Sequence, residues 1–171
     1  MNRAVSTFSG FTIIELMVAL AIAAVMMMYA IPAFNDFTVQ RQMSANVNAM
    51  VSALNYARSE AARLGADTTV QAIDASDSND EWGPGFCVTQ GDPGNCVASF
   101  RVFALDGAPT FDAQGALDNQ DSLTFNSRGL LQGTLQGTIQ LCGADADEDP
   151  GRVISINTIG RASVLDLTCF P

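Results

Sequence analysis

One carboxylate lies inside the most apolar stretch of the chain, where it could form an ion pair. Glu15 is the only charged residue between Gly10 and Phe34. An acid within a membrane-spanning helix costs about 2–3 kcal/mol and usually marks a function that involves a partner. If the chain is cut between Gly10 and Phe11, the new amine of Phe11 lies about one helical turn from Glu15. In a bundle of such helices, the amine of one subunit would neutralise the carboxylate of a neighbour and fix their axial register, since opposite charges attract strongly in a low dielectric.

Two other interpretations of residues 1–34 leave Glu15 unexplained. A secretory signal peptide would be cleaved at small residues such as those of "ALAIAA" (19–24), but these lie within the apolar run rather than after it. A plain membrane anchor fits the length, because about 20 apolar residues span a bilayer core of about 30 Å. Arg3, the only charged side chain before the run, favours an amino terminus on the cytoplasmic side.

The composition argues against several other chemistries. The 171-residue chain has 18 acids and 8 bases, all of them arginine, for a net charge of −10, and it has no histidine. An acidic surface repels phosphate backbones, which disfavours nucleic-acid binding. Without histidine there is no Ser–His or Cys–His pair, and no glycine-rich phosphate loop follows a strand. We therefore predict neither an enzyme nor a cofactor.

Two acidic clusters could bind calcium by composition alone. They are "DASDSNDE" (74–81) and "DADED" (145–149). In the second, Pro150 and Ile156 stand where an EF-hand needs glycine and glutamate. We therefore predict no metal site and interpret both clusters as solvated loops.

A long helix is predicted to position the amino-terminal residues. Beyond Pro32, apolar residues recur at intervals of three or four, which is the period of one helix face. This stripe consists of Val39, Met43, Val47, Met50, Leu54, Ala57, Ala61 and Leu64. With Gly65 as a stop signal, residues 11–64 are predicted to form one helix of roughly 80 Å. We expect Pro32 to bend or loosen it, and a sheet to cover its stripe.

Residues 65–171 are predicted to form an antiparallel β domain. Short β-branched or aromatic runs alternate there with Gly, Asp, Asn, Ser and Pro. The predicted strands are 68–72, 85–89, 97–105, 122–126, 137–142, 152–159 and 162–167. The predicted fold class is therefore α+β, with one long amino-terminal helix packed against antiparallel sheets.

Four cysteines lie in this domain, and their even number in an exported domain favours two disulfides. Cys87 and Cys96 flank "VTQGDPGN", so a hairpin turning at residues 92–94 would bring them together. Cys142 ends one predicted strand and Cys169 follows the last one, so a second bridge would tie down the tail. The other two connectivities remain open. With no C-x-x-C spacing, metal binding by these cysteines is disfavoured.

The amino-terminal stretch resembles the signature of type IV pilins and pseudopilins. "GFTIIELMVALAIAAVMMMYAIPAF" (10–34) carries the resemblance. It implies that Gly10 precedes the cut made by a prepilin peptidase and that Phe11 becomes the N-methylated first residue. It further implies that Glu15 is the assembly acid and that Pro32 distorts the helix.

Later segments resemble the GspH/FimT group of minor pilins, and its FimT and FimU types in particular. They are "NYARSEAARLG" (55–65), "EWGPGFCV" (81–88), "FNSRGLLQGTLQGTIQLC" (125–142) and "GRVISINTIGRASV" (151–164). The resemblance implies a pilin-like fold and a protein that joins other minor pilins and the major pilin. Such a complex primes pilus assembly and sits at the pilus tip.

The resemblance also implies a division of the chain and a location. Residues 1–10 would be the leader, 11–34 the transmembrane and filament-core half of the helix, 35–64 its amphipathic half, and 65–171 a periplasmic domain. The protein would cross the bacterial inner membrane once and later enter the pilus fibre.

Two alternative functions stay open. One is a minor pseudopilin of type II secretion. The other is a DNA receptor, because some FimT-type pilins bind DNA through arginines of a G-R-x-R stretch in the last hairpin. Here Arg161 and nearby Arg152 are present, but Ser163 stands at the second arginine position. Together with the excess of acid, this leaves little electrostatic drive toward DNA.

Overall fold

The computed structural model describes one long helix, one short 3-10 helix and eight strands. The described residues are 11–73, 82, 85–91, 96–105, 110–118, 120–133, 136–142 and 150–168. The chain divides into two compact units, Met1–Thr38 and Val39–Pro171. The long helix, α1, spans Ile13–Leu64, so the predicted helix is present.

The described part of the first unit is an apolar helical segment. Leu, Ala and Met dominate it, and these are strong helix formers. Thr38 ends the unit, and its hydroxyl donates to the backbone oxygen of Phe34 at 2.5 Å. The polar side chain is thus satisfied within its own helix.

In the second unit, α1 is amphipathic as predicted. The buried residues of the stripe are Met43, Val47, Met50, Leu54, Ala57 and Ala61. Val39 is 37% exposed and Leu64 half-buried, so they mark the two ends of the stripe. Asn46 and Ala53 are also buried, which makes the packed face wider than the stripe.

Two four-stranded antiparallel sheets follow the helix. Their strands are β1 (Thr68–Ala72), β2 (Gly85–Gln90), β3 (Arg101–Ala104), β4 (Thr110–Gly115), β5 (Ser122–Phe125), β6 (Gly137–Cys142), β7 (Pro150–Ile156) and β8 (Ala162–Thr168). The first sheet has the order β3-β2-β1-β5, and the second has the order β4-β6-β7-β8. Consecutive strands β6, β7 and β8 pair with their neighbours in sequence, as short turns predict.

A single apolar core joins the second half of α1 to both sheets. It includes Met50 and Leu54 from the helix, Phe86 and Leu123 from the first sheet, and Ile139 and Ile154 from the second. This packing removes from water the apolar face that would leave an isolated helix marginal. The sheets therefore stabilise the amphipathic half of α1.

The structure corrects two predicted strands. Residues 97 and 98 belong to the 3-10 helix Cys96–Ala98, and the strand predicted at 97–105 is limited to Arg101–Ala104. The strand predicted at 152–159 ends at Ile156, because the chain turns between Asn157 and Arg161. In this turn the Asn157 oxygen accepts from the Gly160 N–H at 2.8 Å, so the chain reverses here instead of continuing as a strand.

One strand, β4, has no predicted counterpart. Its residues alternate between buried and outward positions, with Phe111 and Ala113 buried in the core. Asp112 and Gln114 occupy the outward positions, and the strand ends at Gly115. Aspartate and glycine are depleted in strands, so composition alone does not favour one here. The strand forms because β6 pairs with it along its whole length, from Thr110↔Cys142 to Gly115↔Gly137.

Candidate assembly site in the amino-terminal segment

Glu15 lies in the first turn of α1, where it forms hydrogen bonds with Thr12. The Glu15 carboxylate oxygen Oε2 accepts hydrogen bonds from the backbone N–H and from the hydroxyl of Thr12, each at 3.2 Å. The Thr12 hydroxyl oxygen in turn accepts from the backbone N–H of Glu15 at 3.3 Å. This arrangement is a capping box, which satisfies N–H groups that the start of a helix leaves unpaired.

Thr12 is therefore a residue of the site that sequence reasoning missed. The signal was present, since T-x-x-E directly before an apolar run is the pattern of a capping box. The cap orients the Glu15 carboxylate at the helix amino terminus, where the helix dipole favours negative charge. Each carboxylate oxygen has two lone-pair sites, and the bonds to Thr12 use only Oε2. The geometry thus leaves Oε1 available to a cation from another chain.

The segment around Glu15 presents an apolar surface on every side. Exposed large side chains extend from Phe11 to Phe37, and examples are Leu20 at 62%, Met28 at 74% and Phe34 at 66% exposed. The helix is long and apolar enough to cross a membrane, and the most apolar part has none of its residues buried. Such a surface can be covered by lipid or by equivalent helices of other subunits.

The other predicted residues of this site are placed as follows. Gly10 lies outside the described residues. Phe11 is 86% exposed, and it directly precedes the capping residue Thr12. Pro32 lies within α1, where its missing N–H leaves the carbonyl of Met28 without its usual helical donor. The predicted cleavage, methylation and helix distortion stay predictions.

The predicted Cys87–Cys96 disulfide is present, with an S–S distance of 2.05 Å. It joins β2 to the 3-10 helix rather than to a paired strand, and Val102 is the residue opposite Cys87 on β3. Cys142 is also disulfide-bonded. Its predicted partner, Cys169, lies outside the described residues.

The two candidate DNA-binding arginines lie in different environments. Arg152, on β7, forms an ion pair with Asp166, its cross-strand neighbour on β8. Arg161 lies in the turn between these strands and is exposed, and its backbone N–H donates to the side-chain oxygen of Asn157 at 2.8 Å. The structure therefore does not present the two arginines as one unpaired basic patch.

The two acidic clusters, 74–81 and 145–149, lie outside the described residues. Within the part of the chain that the structure describes, no three His, Cys, Asp or Glu side chains are grouped so that they could hold a metal ion.

The chain thus has a membrane-length apolar helical segment that begins at a capped carboxylate, and an amphipathic helical segment that packs on two antiparallel sheets. Together these features define a pilin-type subunit. Two family models match the chain: "Type II transport protein GspH" over residues 46–160, and "Prokaryotic N-terminal methylation motif" over residues 6–31. The chain belongs to the GspH family of minor pilins and pseudopilins. A search among curated protein sequences gave no significant match.

Similar solved structures include a minor pilin and a pseudopilin. The type IV minor pilin FimU of Pseudomonas aeruginosa strain PAO1, in space group P21, is 27% identical with a TM-score of 0.62, and the match covers 75% of this chain and 92% of FimU. The same protein in space group P65 gives 27% identity and a TM-score of 0.59, over 71% and 91% of the two chains. The minor pseudopilin EpsH from the Type 2 Secretion System of Vibrio cholerae is 16% identical, with a TM-score of 0.49 over 72% and 96%. The FimU match confirms the predicted pilin-like α+β fold.

Proposed function

We propose that this protein is a minor type IV pilin that takes part in priming and assembling the pilus and acts at its tip. One observation carries the proposal: an exposed, membrane-length apolar helix holds an oriented carboxylate in its first turn. The similarity to the minor pilin FimU supports a place in a pilus. The role is structural, and its partners are other minor pilins, the major pilin and the inner membrane.

Processing prepares the segment for assembly. The match to an N-terminal methylation motif supports cleavage between Gly10 and Phe11 by a prepilin peptidase, followed by methylation of Phe11. Before cleavage the helix spans the inner membrane, with residues 65–171 on the periplasmic side. Cleavage creates a cationic amine at Phe11, which enters the filament as the counter-charge for a neighbour's acid.

Glu15 acts through this amine. Thr12 holds Oε2 of Glu15 at the start of its own helix, while Oε1 remains available to the Phe11 amine of a neighbouring subunit. Among apolar helices this pair is strong, because few other dipoles screen it. A subunit whose helix is out of register leaves the acid unpaired, so the pair selects correctly placed subunits.

Replacement of Glu15 tests this function. Glu15→Gln keeps the size of the side chain and removes its charge, so the leader should still be cleaved while incorporation into pili falls about tenfold. The measurement is the amount of this chain in sheared pili relative to the membrane fraction, with the amino terminus determined by mass spectrometry. Asp36→Asn is the matched control, because Asp36 is the next acid along the same exposed helix. Normal incorporation of Glu15→Gln, or a mature chain that does not begin at Phe11, would contradict the proposal.

A second candidate function is that of a minor pseudopilin in type II secretion. The observation in its favour is the match to the family model described as a type II transport protein. Deletion of the gene separates the two. A minor pilin predicts few surface pili with normal protein export, whereas a pseudopilin predicts defective export with normal pili and twitching.

A further inference from the structure

We propose that the outer edge of β8 is a docking surface for an extended strand of a different and less acidic filament subunit. This inference rests on the proposed function, because it needs a filament partner. β8 pairs with β7 along its whole length, from Ala162↔Ile156 to Thr168↔Pro150, and it is the last strand of its sheet. The N–H and C=O groups on its other side pair with no strand in the described part of the chain. An open edge of this kind is a template for strand addition.

The other described sheet edges are either covered or shorter than β8. At β5, the chain returns and covers the strand, with a bridge between Phe125 and Leu131. β3 has only four residues and carries the charge of Arg101, and β4 has six residues. β8 has seven residues, an unbroken register without a bulge and no proline, and its one charged residue, Asp166, is paired with Arg152. It is therefore the longest of the described edges, and it presents no unpaired charge to an incoming strand.

The middle of β8 is apolar and exposed on both faces. Val164 is 42% and Leu165 60% exposed. Successive side chains of a strand point to opposite faces, so these two residues offer an apolar contact on each face of the sheet. A strand added beside β8 would form cross-strand pairs with both residues, and such pairs stabilise a sheet.

The charge at this edge indicates the chemistry of the partner. Asp166 is the only charged residue of β8, and its ion pair with Arg152 neutralises an acid that would otherwise repel an incoming strand. A second copy of this chain would be repelled, because each copy has a net charge of −10. A less acidic subunit is therefore the favoured partner. The partner strand should therefore carry apolar side chains opposite Val164 and Leu165 and no acid near Asp166.

Photo-cross-linking of the full-length chain in its native membrane tests the proposal. A photoreactive benzoylphenylalanine replaces Leu165, and the control replaces Val102, which is 52% exposed on the opposite sheet's edge strand β3. We expect position 165, but not position 102, to give a product with one other subunit that carries a prepilin-type amino terminus and a smaller negative charge. Arg152→Gln should lower the yield about fivefold, because it leaves an unpaired acid at the edge, whereas Arg152→Lys should retain it.

The outcomes separate this inference from the proposed function. A product with a second copy of this chain, the same product from position 102, or no product at all overturns the docking surface. If pili are still lost on deletion of the gene, the proposed function stands while the docking surface falls. If Arg152→Gln lowers the melting temperature of the chain, Val164→Asp decides instead, because it places a charge at the edge without touching the ion pair. A yield that Val164→Asp leaves unchanged also overturns the inference.

Discussion

Thr12 and Glu15 make the start of α1 a site in which one side chain orients another. Loss of the Thr12 hydroxyl should weaken the cap by about 0.5–2 kcal/mol and leave the Glu15 carboxylate less well placed for a neighbour's amine. We expect Thr12→Val, which has nearly the same shape, to be cleaved normally but to enter pili at a reduced level. The measurement is the ratio of pilus-borne to membrane-borne chain. Thr12→Ser keeps the hydroxyl and should match the natural protein, and equal losses for both variants would mean that the cap is not involved.

Gly160 is a position where the addition of a single carbon atom, the Cβ of alanine, should destabilise the fold. Its φ is +75°, and an added Cβ would lie 2.5 Å from Cε1 of Phe125, which is fully buried. Gly160→Ala should therefore lower the free energy of unfolding by more than about 1 kcal/mol, through backbone strain and a clash together. Urea unfolding of the full chain in detergent, followed by the fluorescence of the single tryptophan, Trp82, measures this.

The matched control for this clash is Gly91→Ala. Gly91 has a similar φ of +79°, but no atom lies within 4 Å of the place where its Cβ would be. It therefore reports the strain alone, and the difference between the two variants reports the contact with Phe125. If the two variants are equally stable, the turn has moved away from Phe125 and the described packing is wrong.

Among the elements, the β2–β3 connection depends on its disulfide. The Cys87–Cys96 bond closes a loop with a sequence separation of 9, and the loop-entropy model gives it about 3 kcal/mol. Replacement of both cysteines by alanine should lower the free energy of unfolding by about that amount. Val97→Ala, at a neighbouring residue that is 89% exposed, should change it by less than about 0.5 kcal/mol. A double variant as stable as the natural protein would show that the hairpin is held by its strand pairing alone.

The elements also show which parts of the fold the sequence could predict. The helix stripe was predicted because its apolar period matches the burial that packing requires. The strands at 68–72 and 137–142 were predicted because β-branched residues are enriched in strands and turn residues bound both runs. β4 escaped prediction because its order comes from pairing with β6, a contact distant in sequence, and not from its own composition. The 3-10 helix at Cys96 occupies the start of an apolar run that resembles a strand, and its local bond from the Ser99 N–H to the Cys96 oxygen is not visible in composition.

The assembly site was predictable to a similar degree. Glu15 was identified because a charge in an apolar run is expensive and therefore informative. Thr12 was missed because its role depends on three local hydrogen bonds that composition does not reveal. Its spacing of three residues from Glu15, which is that of a capping box, was the available signal. The Arg152–Asp166 pair could not be predicted either, because it depends on the register between β7 and β8.

At the scale of the whole molecule, net charge decides whether the chain can also bind DNA. Binding to DNA phosphates is favoured by the release of counterions, and the affinity grows with the number of Arg or Lys side chains that contact phosphates. The chain has a net charge of −10, and Arg152 is already paired with Asp166. Within the described residues of the last hairpin, Arg161 is thus the one arginine outside that ion pair that could contact a phosphate. We expect the full-length protein in detergent to give no retardation of a short DNA duplex at about 0.15 M salt.

Two variants of the last hairpin make this expectation decisive. Arg161→Ala should behave as the natural protein does, because a single contact contributes too little to overcome the repulsion from the acidic surface. Ser163→Arg places a second base at an exposed position of the same hairpin, and it too should fail to bind at this salt concentration. Binding by Ser163→Arg alone would show that the missing arginine, and not the net charge, limits the affinity. If the natural chain binds DNA and Arg161→Ala weakens this binding, the protein is a DNA receptor. Contacts at the turn that holds Arg161 would then have overcome the repulsion from the acidic surface.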